Sequence, residues 1–312
     1  KHNFGPRDKV VPLGIATLAA ALYDHYGKKI STKLFVSPNK LIDELKSNLP
    51  DVIALSNYMW NSRLSLRILR LAKEIKPDIL TIMGGPHARY DQEGLKNLLL
   101  QNSFIDAYIP FQGEIPFADL VGECLSKKSN NIKTLANIPG VYFNIEGYKF
   151  KQAVYESDKG KNRKYNSSSK TINKYTSPYL NGMLDEFLED PQMSPMLESN
   201  RGCPYKCTFC AWGAATGPKL IKKNLDRFLS ELWYVGERSK KDIWFLTDGN
   251  FGIVKEDVII AENFKEINRK YGYPKQVHYN TAKHQAKRVY EISDILGELT
   301  QVNIAVQSFD AD

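Results

Sequence analysis

Cysteine is scarce in this chain, with four residues among 312, and histidine is hardly commoner at five. Four thiols, three of them crowded within eight residues, cannot form the evenly spaced disulfide framework of a secreted domain. They point instead to a reducing compartment, the cytoplasm. Long hydrophobic runs are missing too. No stretch spans a bilayer and no secretory signal opens the chain, so a membrane is not an expected partner. There is no concentrated basic block. The formal net charge is +8, but the excess is spread over the helical segments and one polar stretch, residues 157–170. A scattered lysine excess serves solubility, and nucleic acid is not expected as a partner.

What is present is ordinary in amount and regular in order. A hydrophobic content of 42% over 312 residues suits two domains with sizeable cores. Residues 12–27 are apolar at helical spacing and end at Gly27. Residues 29–36 read as a strand, 38–49 as a helix entered through Pro38, and 51–56 as a short buried strand. Leu64, Ile68, Leu71 and Ile75 share one face of a helix over 61–76. A strand at 78–83 is followed by Gly84, Gly85 and Pro86. A helix near 91–101, a strand near 105–109 and a helix at 114–126 complete the series. This alternation predicts a doubly wound parallel sheet covered on both faces, over residues 1–127. The series opens on a helix, so the first strand is expected before Lys1.

Residues 128–194 read as a linker. It holds a small hairpin at 141–151, a polar segment at 157–178 without periodicity, and a short helix at 179–189. A second alternation runs over 195–312, with strands at 195–200, 242–248, 276–281 and 302–309. Helices at 219–238, 255–270 and 285–298 separate them. Four parallel strands with intervening helices make half of a closed eight-stranded barrel, so the barrel is expected to be cut at its C-terminus.

The three crowded cysteines fall just after the first barrel strand, as Cys203, Cys207 and Cys210 in RGCPYKCTFCAWG. A tetrahedral zinc site would want a fourth ligand at matching spacing, and no second cysteine pair or nearby histidine supplies one. Iron–sulfur clusters take cysteine thiolates. Three thiolates on a four-iron cluster leave one iron open to another ligand. A zinc knuckle and a redox-sensing trio remain the alternatives.

The stretch resembles the signature of the radical S-adenosylmethionine (SAM) family, C-x3-C-x-aromatic-C, with Phe209 in the aromatic slot. The resemblance implies a [4Fe-4S] cluster whose open iron chelates the amino and carboxylate groups of SAM. An electron from the cluster then makes a 5′-deoxyadenosyl radical, so a protein donor such as flavodoxin or ferredoxin is implied. The second strand end carries Asp248, Gly249 and Asn250 where the family commonly has Gly-Gly-Glu. In the family this segment receives the SAM amino group through backbone carbonyls. The resemblance therefore implies SAM contacts from these residues, from Phe209, from Asn280 on the third strand and from Gln307 and Ser308 on the fourth.

The front domain lacks G-x-G-x-x-G, which argues against a dinucleotide. It resembles the cobalamin-binding domain that precedes the barrel in one large radical SAM subgroup. The matching stretches are PLGIATLAAAL (12–22), SNYMWN (56–61), GGPHA (84–88) and FQGEIPF (111–117). The implied cobalamin contacts are Leu13, Ser56, Tyr58, Trp60, Asn61, Gly84, Gly85, Pro86, Gly113 and Glu114. A flavodoxin-like core with turn glycines is the alternative. DHYG (24–27) does not fit the D-x-H-x-x-G that brings a histidine to cobalt, so cobalamin is expected without a histidine ligand from His25 or His87. Cys124 is expected to be a core residue.

The resemblance implies a cobalamin-dependent radical SAM enzyme. Its expected reaction is methyl transfer to an unactivated carbon or phosphorus of a small molecule, through methylcobalamin and the 5′-deoxyadenosyl radical. A radical cyclase or rearranging enzyme, a cobalamin sensor with a structural cluster, and an RNA-modifying enzyme are the alternatives.

Overall fold

The computed structural model describes residues 9–88, 92–110, 112–135, 138–144, 171–205, 207, 210 and 219–300. It divides into two units, and the boundary between them falls inside the first helix. The described chain opens with β1 (Lys9–Val10) and α1 (Leu13–Tyr26).

The front unit holds α2 (Pro38–Ser47), β2 (Val52–Ser56), α3 (Ser62–Ile75), β3 (Leu80–Gly84), α4 (Gln92–Gln101), β4 (Ala107–Ile109), α5 (Glu114–Lys127) and β5 (Tyr142–Phe143). The sheet order is β2-β3-β4-β5. The first three strands are parallel and β5 is antiparallel to β4. From Leu80 to Met83 every residue of β3 is buried, as expected for a parallel strand covered on both faces. One face packs Leu80, Ile82, Ala107 and Ile109 against Phe117, Leu120 and Val121 of α5. The other packs Ile53, Met83 and Tyr108 against Ile68, Leu69 and Ala72 of α3. Helix α2 starts where expected, because Pro38 fits the first turn and the Ser37 hydroxyl accepts from the Lys40 amide.

Two sequence expectations change here. Residues 30–36 form no strand. None of its residues is buried, and among the described residues β2 has β3 as its only partner. An extended stretch left unpaired cannot satisfy its backbone groups as a strand. Residues 128–144 also do not serve as a linker. Leu135, Ile138, Val141 and Phe143 are buried in the core of the front sheet, and β5 is its edge. The turn of the expected hairpin, 145–150, lies outside the described residues, as does most of 157–178.

The second unit contains β1, α6 (Thr171–Lys174), α7 (Asp185–Glu189), β6 (Met193–Ser194), β7 (Met196–Leu197), β8 (Asn200–Arg201), β9 (Ile221–Lys222), α8 (Leu225–Arg238), β10 (Ile243–Leu246), α9 (Glu256–Tyr271), β11 (Gln276–His278) and α10 (Ala286–Leu296). Strands β7, β10 and β11 are parallel, in the order β11-β10-β7. They are successive strands of a (β/α) barrel, each pair joined through helices. Trp244, Tyr179, Phe228, Phe251 and Phe264 are its largest buried side chains among the described residues. The fourth expected strand, 302–309, lies outside the described residues.

The first barrel strand is shorter than 195–200. It breaks after Leu197, and Asn200–Arg201 turns away to pair antiparallel with β9. Because 221–222 is a strand, α8 begins at Leu225 rather than 219, with Asn224 capping it through a bond from the Arg227 amide (3.0 Å). Lys223 ties this corner down. Its amide donates to the Ser199 carbonyl (2.8 Å), and its ammonium meets buried Glu231 at 2.6 Å, which Arg227 also contacts (3.2 Å). No described helix is long and apolar enough to cross a membrane.

Candidate functional site

In the barrel unit the site is built at the carboxyl ends of β7 and β10, where such barrels place their ligands. Asp248, two residues past β10, is fully buried. Its carboxylate accepts the amides of Ser199 (2.8 Å) and Asn200 (3.2 Å), the Asn200 side-chain amide (2.8 Å) and the Ser199 hydroxyl. Burial pushes its pKa up to about 7, against the pull of those donors; the nearby Asp257 carboxyl adds to the rise. The side chain of Asp248 is thus spent on the two residues that enter the cysteine loop. It faces Ser199 and Asn200 rather than an open ligand site, which leaves the backbone carbonyl of Asp248, not its side chain, for the expected SAM contact.

The backbone of the segment is also engaged. Asn280 is exposed just after β11, and its amide reaches the Asp248 carbonyl (3.5 Å) while its own carbonyl accepts from Phe251 (2.7 Å). The Asn250 carbonyl accepts from Ile253 (3.1 Å). A carbonyl oxygen has two lone pairs, so both keep capacity for one more donor. Gly249 is half-buried between them.

Within the loop, Cys203 and Cys207 are half-buried, Cys210 is exposed, and all three are free thiols. The Cys210 amide donates to the Cys207 carbonyl (3.2 Å). The side-chain amide of Asn250 donates to Cys203 Sγ at 3.2 Å. Arg201 at the loop entrance is paired with Glu198 (2.7 Å). Tyr205 packs edge-on against His284, with ring centroids 5.0 Å apart. Burial, then the nearby Cys203, raise the Tyr205 pKa. Among the described residues no three His, Cys, Asp or Glu side chains are gathered around one point as a single metal ion would need. A four-iron cluster makes a different demand, since each thiolate binds its own iron. An all-thiolate donor set on one loop, with an amide donor aimed at one sulfur, fits such a cluster. Phe209, Gln307 and Ser308 lie outside the described residues.

The expected cobalamin residues of the front unit collect at the carboxyl ends of β2, β3 and β4, where a doubly wound sheet binds its ligand. The Ser56 hydroxyl accepts from Asn61 (2.8 Å), and the Asn61 side chain accepts from the Tyr58 amide (2.7 Å). This small network shapes the 57–61 turn so that Tyr58 and Trp60 stack on each other, 4.7 Å apart at 11°. Trp60 is 77% exposed and Tyr58 38%, a flat aromatic surface at the strand end. Gly113 caps α5, and Glu114 behind it is buried. Pro86 and His87 are exposed. Leu13 is buried at the start of α1 and is counted with the barrel unit.

Sequence reasoning missed Asn57, which organises these loops. It is 1% exposed. Its side-chain amide donates to Tyr108 OH (3.0 Å), which donates to the Gly85 carbonyl (2.7 Å). Its backbone amide donates to the Gly84 carbonyl (2.6 Å), and its carbonyl accepts from His87 (3.1 Å). Asn57 Oδ1 is buried with no hydrogen-bond partner among the described residues, a spare acceptor beneath the strand ends. The only signal in the sequence was its place in SNYMWN.

The structure gives the glycine pair a reason of its own. A Cβ on Gly85 would meet the Asn57 carbonyl oxygen at 2.8 Å, and one on Gly84 would meet the Ile109 carbonyl at 2.8 Å. Gly85 also has φ +123°, a region that side chains disfavour. The pair is needed for the chain's own close packing. Gly85→Ala is therefore expected to destabilise the front unit, by about 1–3 kcal/mol for the backbone conformation alone, with no ligand present. A denaturation midpoint equal to wild type in ligand-free protein would show that the space is reserved for a ligand instead.

Residues 6–121 match the B12 binding domain family. Over 276 residues the chain is 32% identical to the cobalamin-dependent radical SAM methyltransferase TokK of Streptomyces tokunonensis. It is also 32% identical, over 271 residues, to the 2-(S-pantetheinyl)-carbapenam-3-carboxylate methyltransferase of Streptantibioticus cattleyicolor. Each alignment covers 84% of this chain and 37% of the relative, so the chain spans little more than a third of their length. The fold resembles that of the cobalamin-dependent SAM radical enzyme OxsB, solved with aqua-cobalamin and SAM bound. The TM-score is 0.62 at 16% identity, over 95% of this chain and 41% of that one. The chain belongs to the radical SAM proteins that carry a B12-binding domain.

Proposed function

We propose that the chain is part of a cobalamin-dependent radical SAM methyltransferase acting on an unactivated carbon of a small molecule. The carrying observation is the three-cysteine loop pinned at the barrel's strand ends through Asp248 and Asn250, in a chain 32% identical to two methyltransferases. One of those relatives acts on a carbapenam carboxylate, which supports a small-molecule substrate. When bound, the cluster supplies the electron that splits SAM into a substrate-activating radical, and cobalamin supplies the methyl carrier.

In this reading Cys203, Cys207 and Cys210 hold the cluster and leave one iron open. The carbonyls of Asp248 and Asn250, each with a free lone pair, receive the SAM amino group, and Asn280 stands beside them. In the front unit Tyr58 and Trp60 offer aromatic surface to the corrin, Ser56 and Asn61 shape that turn, and the N-terminus of α5 at Gly113 presents backbone donors. A protein electron donor such as flavodoxin or ferredoxin reduces the cluster, in the cytoplasm.

The test is anaerobic reconstitution with iron and sulfide, then incubation with SAM, cobalamin and a reductant. Formation of 5′-deoxyadenosine is expected. A loaded cluster that never cleaves SAM would overturn the enzyme reading in favour of a cobalamin-binding module. A further expectation concerns cobalt. His25 and His87 are both exposed, and neither stands in a cobalt-binding pattern. The cobalamin spectrum is expected to be the same in wild type, His25→Ala and His87→Ala. Nitrogen coordination that vanishes in either variant would refute it.

A further inference from the structure

We infer that Asn250 is a positioning residue for the cysteine loop: its side-chain amide donates to Cys203 and sets how readily a cluster held there accepts an electron. The inference rests on the reading that the three cysteines hold a [4Fe-4S] cluster. It gives the Asn250 side chain a task of its own beside the SAM contact expected of this segment.

The geometry is specific. Asn250 Nδ2 lies 3.2 Å from Cys203 Sγ, across 47 residues of chain, and Asn250 is 4% exposed. The residues around it hold it in place. Asp248 is bonded to Ser199 and Asn200 at the entrance of the cysteine loop. Phe251 donates to the Asn280 carbonyl and bridges to Thr281. Asn200, the other buried asparagine at this corner, uses its amide on Asp248 and Ser199, so it does not compete for the sulfur.

The chemistry follows from charge. An amide nitrogen can only donate, and a thiolate accepts more strongly than a thiol. Reducing an iron–sulfur cluster adds negative charge that spreads onto its sulfurs, and hydrogen bonds to those sulfurs are among the factors that set its potential. A donor at Cys203 therefore favours the reduced form. Here the donor comes from the same strand end whose backbone would hold SAM, so the electron affinity of the cluster is tied to the segment that receives its substrate.

The test is a redox titration of the anaerobically reconstituted protein without SAM, followed by electron paramagnetic resonance. Asn250→Leu keeps the bulk and removes the donor, and its potential is expected to shift negative. Asn250→Asp puts a carboxylate beside the sulfur and is expected to shift it further. A residue that only supported the fold would lower iron content without ordering the potentials of the clusters that remain. Wild-type protein labelled with 15N in its asparagine side chains supplies a readout independent of any variant. Its reduced cluster is expected to show a 15N hyperfine coupling. No coupling in wild type, or an unchanged potential in Asn250→Leu, would overturn the inference while leaving the cluster reading intact. Should both variants lose the cluster, the wild-type coupling decides. Wild-type protein that assembles no cluster would remove the reading and the inference together.

Discussion

Replacing any one of Cys203, Cys207 and Cys210 by Ala should abolish the visible iron–sulfur absorption of the reconstituted protein and, with it, SAM cleavage. All three thiols lie on one loop and are free, and among the described residues no three His, Cys, Asp or Glu side chains are gathered elsewhere as a substitute ligand set. Two thiolates leave two irons without a protein ligand, so loss is expected to be complete rather than graded. The fourth cysteine is the internal control. Cys124 is packed among Phe117, Leu120 and Val121 in the front core, where burial pushes its thiol up to about 11. It is a small apolar side chain there, neither a nucleophile nor a ligand. Cys124→Ala should keep full iron content and SAM cleavage, at a modest loss of stability. Iron and activity retained in Cys207→Ala would end the cluster assignment. Loss of iron in Cys124→Ala at unchanged fold would show that a ligand had been misplaced.

The parts of this protein that could be read from the sequence are those with a local physical signal. The buried run of β3 and the helical periodicity of α3 lie within a few residues, and both elements appear within two residues of where they were expected. The face of α3 was less legible, since Ile68 is buried but Leu64 is exposed and the core side is Ser65, Ile68, Leu69 and Ala72. The cysteine spacing is local as well. Residues 30–36 misled for a complementary reason. Their composition favours a strand, but a strand needs a neighbour, and no local pattern reports that. The break after Leu197 was hidden similarly, since it depends on Asn200–Arg201 finding β9 some twenty residues later. The site shows the same division. Which loop carries the chemistry was legible. What its side chains touch was not, because the contacts of Asp248 with Ser199 and of Asn250 with Cys203 each span nearly fifty residues. At Gly85 the missing side chain makes room for Asn57, a neighbour 28 residues away that no local pattern reports.

The barrel unit should lose stability as pH rises from about 4 to about 7, and Asp248 should be the main cause. Its pKa in the folded protein is raised to about 7 by burial, whereas an unfolded Asp titrates near 3.9. The folded state therefore holds the proton more tightly than the unfolded chain. Its stabilising contribution is fully present below about pH 4, falls as pH climbs through the window, and is gone above pH 7. Three units correspond to about 4 kcal/mol at most. Asp257 acts in the same direction over a narrower window, since burial raises it to about 6. The two carboxyls interact, so their effects do not simply add. Asp248→Asn removes the titration and should flatten the slope between pH 5 and pH 8. Asp248→Ala is the harsher change. It strands the amides of Ser199 and Asn200, the Asn200 side chain and the Ser199 hydroxyl in a buried place, at about 1–3 kcal/mol for each donor that water cannot reach. A loss on the order of 4 kcal/mol is expected, with the cysteine loop released from β10 and cluster assembly impaired as a consequence. Denaturant unfolding of the cluster-free protein at both pH values separates the two effects. A wild-type stability that is flat or rises between pH 5 and pH 8, with Asp248→Asn indistinguishable from it, would show that Asp248 is ionised throughout and that its four donors outweigh its burial.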